Sequence, residues 1–272
     1  MRMRIPYYQV NAFTRNVFGG NPAGVCPLEK WLPDPVLQQI ATENNFAETA
    51  FFTAEKDHYH LRWFTPAIEV DLCGHATLAT AFVLFCESNG ARPASPRLRF
   101  HTRSGWLATE KRGDTLELDF PSRPPESCAA PEELIRGLGC KPREVLRSRD
   151  FLAVFDSQAE VAALDPDMDL LTRLDCLGVI ATAPGDDADF VSRFFAPRAG
   201  IPEDPATGSS HSTLIPFWAE QLKKTEMFAR QISKRGGEFH CRLAGDRVGI
   251  GGDAVTYCRG EIEVEISNPK SQ

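Results

Sequence analysis

Between Thr77 and Phe85 the chain carries Leu78, Ala79, Ala81, Phe82, Val83, Leu84 and Phe85, and almost no polar face. A helix that is apolar all round must be buried on all sides. The segments around it read as strands. Tyr7–Phe13 alternates and runs into a Gly-Gly-Asn-Pro turn at 19–22, and Ala23–Cys26 is a short apolar run. Glu48–Thr53, Tyr59–Phe64, Leu98–His101, Gly105–Glu110 and Thr115–Phe120 follow. The simplest solution is a sheet that curls about the helix. One further helix is expected after Pro33, with Asp34 as N-cap, Pro35 at the first helical position and Asn44-Asn45 at its end.

The second half repeats the plan. After a linker at Ser122–Ser127 come a helix over Pro131–Leu138 and strands over Glu144–Ser148 and Phe151–Phe155. A helix near Asp165–Leu174 precedes strands over Gly178–Ala183 and Asp189–Phe195. His211–Leu222 is a second largely apolar helix, in which Pro216 sits early, where a missing N–H costs less. Arg242–Ile250 and Ala254–Ile266 close the chain as strands. Two strings echo: Arg62-Trp63-Phe64-Thr65-Pro66 in Arg193-Phe194-Phe195-Ala196-Pro197, and His75-Ala76-Thr77-Leu78 in His211-Ser212-Thr213-Leu214. The Arg-to-His spacing is 13 residues in the first copy and 18 in the second. The expected fold is therefore α/β (α+β), with two similar domains, 1–121 and 122–272, related by pseudo-twofold symmetry. Each is a curved, barrel-like mixed sheet around a central apolar helix.

Composition narrows the function classes. A net charge of −7 with scattered Lys and Arg gives no basic footprint for nucleic acid. The eight cysteines include no C-x-x-C pair, so neither a zinc knuckle nor a thioredoxin-like motif is indicated. The N-terminal residues lack an apolar h-region, and no apolar run reaches the ~18 residues of a membrane span. A cytoplasmic protein with reduced thiols is expected.

The chemistry is expected in the loops ahead of the two apolar helices, Glu69–Thr77 and Glu203–His211. Both carry Gly with small or hydroxyl residues at a helix N-terminus, where backbone N–H groups and the helix dipole favour an anion. Converging termini would hold a substrate carboxylate, or the enolate-like charge left when a carbon α to it loses a proton. Proton transfer also needs an acid/base, and Glu48, between Phe46 and Ala50-Phe51-Phe52, is the candidate whose surroundings favour a raised pKa. A Glu at a strand edge facing water has the same spacing. His75 can donate to an oxygen or shuttle a proton, or serve structure alone. Asp204 can act in catalysis or cap a helix, and Ser209 can be the N-cap itself. Cys73, before Gly74 at a helix N-terminus, can be a base or only a wall. The second loop holds no Cys, so a symmetric two-thiol mechanism is not available.

Several segments together resemble the phenazine-biosynthesis PhzF-like family. They are Phe13-Thr14, Phe18–Val25, Glu48-Thr49-Ala50-Phe51, Arg62–Pro66 with Glu69–Thr77, and Glu203–Ser209. The resemblance implies the diaminopimelate epimerase-like fold with the site between its domains, isomerisation without metal or organic cofactor, and a homodimer. It places the acid/base on Glu48 and further site residues on His75, Asp204 and Ser209. The Gly74-His75 and Gly208-Ser209 backbone would bind the substrate carboxylate, with Cys73 and Asn21 also at the substrate. Ala47 stands where the family often has Ser, so the phenazine substrate itself does not follow.

The expected activity is a cofactor-independent isomerase that moves a proton on a small cyclic or amino-acid-like carboxylate. An epimerase or racemase using Cys73 with Glu48, and a catalytically silent metabolite-binding protein, are the alternatives.

Overall fold

The computed structural model describes residues 2–87 and 93–265. The chain divides into two compact units. Unit 1 takes residues up to 17, 22–118 and those from 253 onward, and unit 2 takes 18–21 and 119–252.

Unit 1 opens with β1 (Arg2–Ala12), β2 (Asn21–Leu28), α1 (Asp34–Asn44), β3 (Glu48–Ala54), β4 (Tyr59–Phe64) and β5 (Glu69–Val70). Then come α2 (Gly74–Phe82), continued by a π-turn over Val83–Glu87, and β6 (Arg97–Thr102), β7 (Gly105–Arg112) and β8 (Thr115–Pro121). β2 and β3 are parallel, β3 and β4 antiparallel, and β4 and β6 parallel. The N-cap of α1 is Pro33; Asp34, expected there, is the first helical residue and pairs instead with Arg62 at 2.9 Å. Asn45 ends the helix in the left-handed region, as the Asn pair suggests. Leu37, Ile40 and Ala41 of α1 pack with Ile5, Cys26, Phe51 and Phe64 into one core.

Unit 2 contains β9 (Glu126–Ser127), α3 (Glu132–Leu138), β10 (Glu144–Arg147), β11 (Phe151–Val154), α4 (Gln158–Ala162) and α5 (Met168–Thr172). These are followed by β12 (Val179–Pro184), β13 (Phe190–Phe195), α6 (His211–Leu222), β14 (Glu226–Gln231), β15 (Gly237–Ala244) and β16 (Arg247–Gly252). The order echoes unit 1: β11 and β12 are parallel, as β2 and β3 are, and β12 and β13 antiparallel, as β3 and β4 are. Leu134, Leu138, Val161 and Leu171 of the three short helices close a core over this sheet. The strand expected over Arg242–Ile250 is a hairpin, because Gly245 takes φ +64° and reverses the chain between β15 and β16. β14 and α4 carry too little apolar pattern to be expected.

The single cut expected at 121/122 does not describe the chain. The last strand, β17 (Ala254–Glu265), pairs antiparallel with β1 over its whole length and so belongs to unit 1. Ile266, expected in that strand, lies outside the described residues.

Each apolar helix is enclosed by its own unit. α2 packs against β1, β3, β7 and β17, and its residues Gly74 to Ala81 are all buried. Its threonines return their hydroxyls to the backbone, Thr77 to Cys73 O at 2.5 Å and Thr80 to Ala76 O at 2.8 Å, which removes the polar burden of an all-buried helix. α6 packs against β15 and β16, and Phe190 stacks on Trp218, whose indole donates to Thr182 Oγ1 at 2.9 Å. Pro216 stands inside α6 rather than at its start. The carbonyl it leaves without a helical donor is that of Ser212, four residues back, and Arg123 N–H donates to it at 2.8 Å.

Candidate active site

In unit 1 the first residue of β3 and the first turn of α2 meet. Glu48 Oε2 lies 3.2 Å from His75 Nε2, with the side chains 14% and 7% exposed. On the other edge of the same ring, Nδ1 lies 3.5 Å from Cys73 Sγ. Carboxylate, imidazole and thiol thus each bring one donor atom within 4.8 Å of the other two. Cys73 has extended backbone (φ −144°, ψ 113°) and is the N-cap of α2, with no side-chain cap bond, so Gly74 and His75 are the first two helical residues. Their N–H groups precede the helical ladder, whose first bond runs from Thr77 N to Cys73 O at 3.2 Å. β2 lies close alongside β3 here: a Cβ on Gly24 would stand 3.1 Å from Thr49 Oγ1 and 3.2 Å from Asn44 Nδ2, so Gly suits this approach to the strand that starts at Glu48.

In unit 2 the loop ahead of α6 is held from within. Asp204, 8% exposed, accepts from Asn21 Nδ2 at 2.8 Å on one oxygen and from the Thr207 hydroxyl on the other. Asn21 Nδ2 also donates to Ala206 O at 3.0 Å. Gln231 spans the loop, donating to Asp204 O at 2.5 Å and accepting from Thr207 N at 2.8 Å. Gly208 and Ser209 form a turn that leads into the helix, and Ser210 rather than Ser209 stands at the N-cap. Ser209 Oγ receives Arg149 Nη2 at 3.4 Å, and Arg149 is fixed by the buried carboxylate of Asp150 at 2.9 Å. Burial, and then the charge of Arg149, hold the Arg123 guanidinium below its usual pKa.

The expected residues thus fall into two groups within their own units: Glu48, Cys73, Gly74 and His75 in the first, and Asn21, Asp204, Gly208 and Ser209 in the second. His211, which echoes His75, does different work. It is fully buried, stacked on Phe239 at 3.8 Å between ring centroids, and its Nδ1 faces Thr207 O at 2.8 Å. Burial pushes its pKa down to about 4, so it is neutral at pH 7.

Sequence reasoning missed one paired device. Arg62 makes a two-pronged pair with Glu69 (2.7 and 2.8 Å), and Arg193 makes the same pair with Glu203 (2.7 and 2.9 Å). Each guanidinium also lies over the Phe two residues on, Phe64 at 5.1 Å and Phe195 at 4.9 Å. Each pair ties the strand to the start of the loop that leads into the apolar helix. The signal was present, since both copies begin on Arg and both loops open on Glu. Arg149 and Gln231 gave no signal, being remote in sequence from Ser209 and Thr207.

A family model described as phenazine biosynthesis-like protein matches residues 10–260. A Pseudomonas aeruginosa protein named an uncharacterized isomerase is 49% identical over 262 residues, which cover 96% of this chain and 100% of that protein. The crystal structure of a phenazine biosynthesis protein of the PhzF family from Enterococcus faecalis superposes with a TM-score of 0.92 at 48% identity, covering 96% of this chain and 99% of that one. A hydroxyproline epimerase from Agrobacterium vitis shares the fold alone, with a TM-score of 0.59 at 13% identity over 99% of this chain and 95% of that one.

Proposed function

The chain belongs to the phenazine biosynthesis-like family, and from that premise we propose that it is an isomerase in which Glu48 is the acid/base. The observation that carries this reading is the contact of Glu48 with His75 at the N-terminus of a helix buried from Gly74 to Ala81. A relative of nearly equal length and about half-identical sequence carries the name isomerase, and the fold is shared with an epimerase.

The substrate in this reading is a small carboxylate-bearing metabolite, cyclic or amino-acid-like. A Glu48 oxygen takes a proton from a substrate carbon, and the electron pair left behind delocalises toward an adjacent carboxylate or carbonyl. Glu48 exchanges that proton with solvent and returns one to a second carbon on the same face, so that nothing is gained or lost overall. His75 Nε2, 3.2 Å from the Glu48 carboxylate, orients it toward the substrate C–H. The N–H groups of Gly74 and His75 hold carboxylate or enolate oxygen as preorganised dipoles. Asp204 is a positioning residue, because both its oxygens serve Asn21 and Thr207 and so fix the loop that carries Gly208 and Ser209. In this scheme the chain's own groups carry the proton transfer, without an organic cofactor or a metal.

One observation favours a second reading. Cys73 Sγ, 3.5 Å from His75 Nδ1 at a helix N-cap, is placed to share its proton with the ring, and a thiolate there would be the base of an epimerase with Glu48 as the acid. A screen of small carboxylates in deuterium oxide, followed by NMR, separates the readings. Deuterium at a new carbon with a shifted double bond supports the isomerase. Deuterium at one stereocentre with inversion supports the epimerase. Tight binding with no exchange in any ligand would leave a metabolite-binding protein and contradict both.

A further inference from the structure

We propose that the Glu48–Cys73–His75 group is also a site for a borderline-soft divalent cation of the zinc class, and that such a cation switches the active site off. The inhibitory half rests on the reading of Glu48 as acid/base; the binding half rests on geometry alone.

Thiol, imidazole and carboxylate are the donor types that zinc selects, and here one atom of each lies within 4.8 Å of the other two. Cys sulfur about 2.3 Å and His nitrogen about 2.0 Å from a tetrahedral zinc stand about 3.5 Å apart. The Cys73 Sγ to His75 Nδ1 separation is 3.5 Å. The Glu48 carboxylate lies 3.2 Å from the other ring nitrogen, and a turn of its side chain toward the thiol, within the 4.8 Å that spans the three donors, brings it onto the same ion. All three residues sit on rigid elements, the start of β3 and the first turn of α2, and Cys73 and His75 are each 6% exposed. Three protein ligands leave a fourth position for water or for a substrate oxygen, the arrangement of an open zinc site.

The balance of the binding step is simple. The cation forms bonds to the Cys73 thiolate, one unprotonated His75 nitrogen and a Glu48 oxygen; the thiol proton leaves to solvent, and no electrons are transferred. Glu48 bound to the cation can no longer take a proton from carbon, so turnover stops, and it resumes when a chelator removes the metal.

The test is a titration of the full-length apo protein with cobalt(II) and zinc(II), the wild type beside Cys73→Ser and His101→Ala. The expected result is a 1:1 cobalt complex with a near-ultraviolet thiolate-to-cobalt band that zinc displaces. That band is lost in Cys73→Ser and kept in His101→Ala, and zinc protects Cys73 from iodoacetamide in the wild type. Circular dichroism melts of each variant show that it is folded, and the alkylation arm needs no variant at all. No thiolate band and no protection would overturn the proposal. So would binding that survives Cys73→Ser and vanishes in His101→Ala, which would put the metal on the other close pair, His60 Nε2 and His101 Nδ1, 2.5 Å apart. Zinc bound at Cys73 with no carboxylate exchanged by the apo protein would keep the site and sink the isomerase reading; exchange that bound zinc leaves untouched would overturn the switch.

Discussion

At the scale of single residues, two histidines in echoing strings have opposite surroundings. His75 touches a carboxylate and a thiol, whereas His211 is sealed against Phe239 and a carbonyl oxygen. His75→Asn should therefore slow proton exchange by about 10²-fold while leaving the melting temperature within a few degrees, read from exchange rates and thermal melts. His211 should control stability instead. Its folded pKa of about 4 lies below the unfolded value of about 6.5, so the unfolded chain binds the extra proton first as pH falls. The contribution of the neutral ring is complete above pH 6.5 and is lost on acidification toward 4, at up to about 1.4 kcal/mol per pH unit. Urea unfolding at a series of pH values between 7 and 5 should show this slope in the wild type, and His211→Phe should flatten it by about that amount. An unchanged slope would mean that the ring is not held neutral.

Among the elements, the two Arg–Glu pairs fasten each strand to the loop ahead of its apolar helix. They are largely buried, with side-chain exposures of 21% and 11% for Arg62 and Glu69, and 13% and 22% for Arg193 and Glu203. Arg193→Met takes the cation from Glu203 and should cost about 2–4 kcal/mol in urea unfolding, whereas Arg62→Met leaves Glu69 with Arg103 at 3.0 Å and should cost less. Arg193 should be the more costly, because it also donates to Leu164 O at 2.7 Å and anchors the segment after α4. Equal small losses, below about 1 kcal/mol, would reduce these pairs to surface ornaments. Periodicity made the two apolar helices legible, together with most strands, since an all-apolar helix admits few environments. It failed where the pattern is weak. The hairpin at Gly245 reads as one strand because apolar residues continue on both sides of the turn. Pro216 looks like a helix-start residue until Arg123 is seen supplying the missing donor.

For the whole molecule, the chain leaves unit 1, builds unit 2, and returns to unit 1 with β17. Sequence reading could not find this return, because strand pairing between Arg2 and Glu265 depends on contacts 263 residues apart. A chain ending at Gly252 should lose the β17 pairing along the full length of β1 and with it the cooperative unfolding of unit 1; fluorescence from Trp31, Trp63 and Trp106 reports that unit, and Trp218 the other. An unaltered transition from the unit 1 tryptophans would show that β17 is dispensable. The candidate site was legible to a different degree in each unit. The resemblance named Glu48, His75 and Cys73, and the fold brings them together. It also named Asp204 and Asn21, which are joined to each other, yet it did not disclose that Thr207 and Gln231 complete their network. The central claim is that Glu48 moves a carbon-bound proton. Its most direct test is solvent-deuterium exchange into a carboxylate that the wild type labels, repeated with Glu48→Gln. The account predicts exchange in the wild type and a loss of at least about 10²-fold in the folded variant. Equal labelling by both proteins would contradict it.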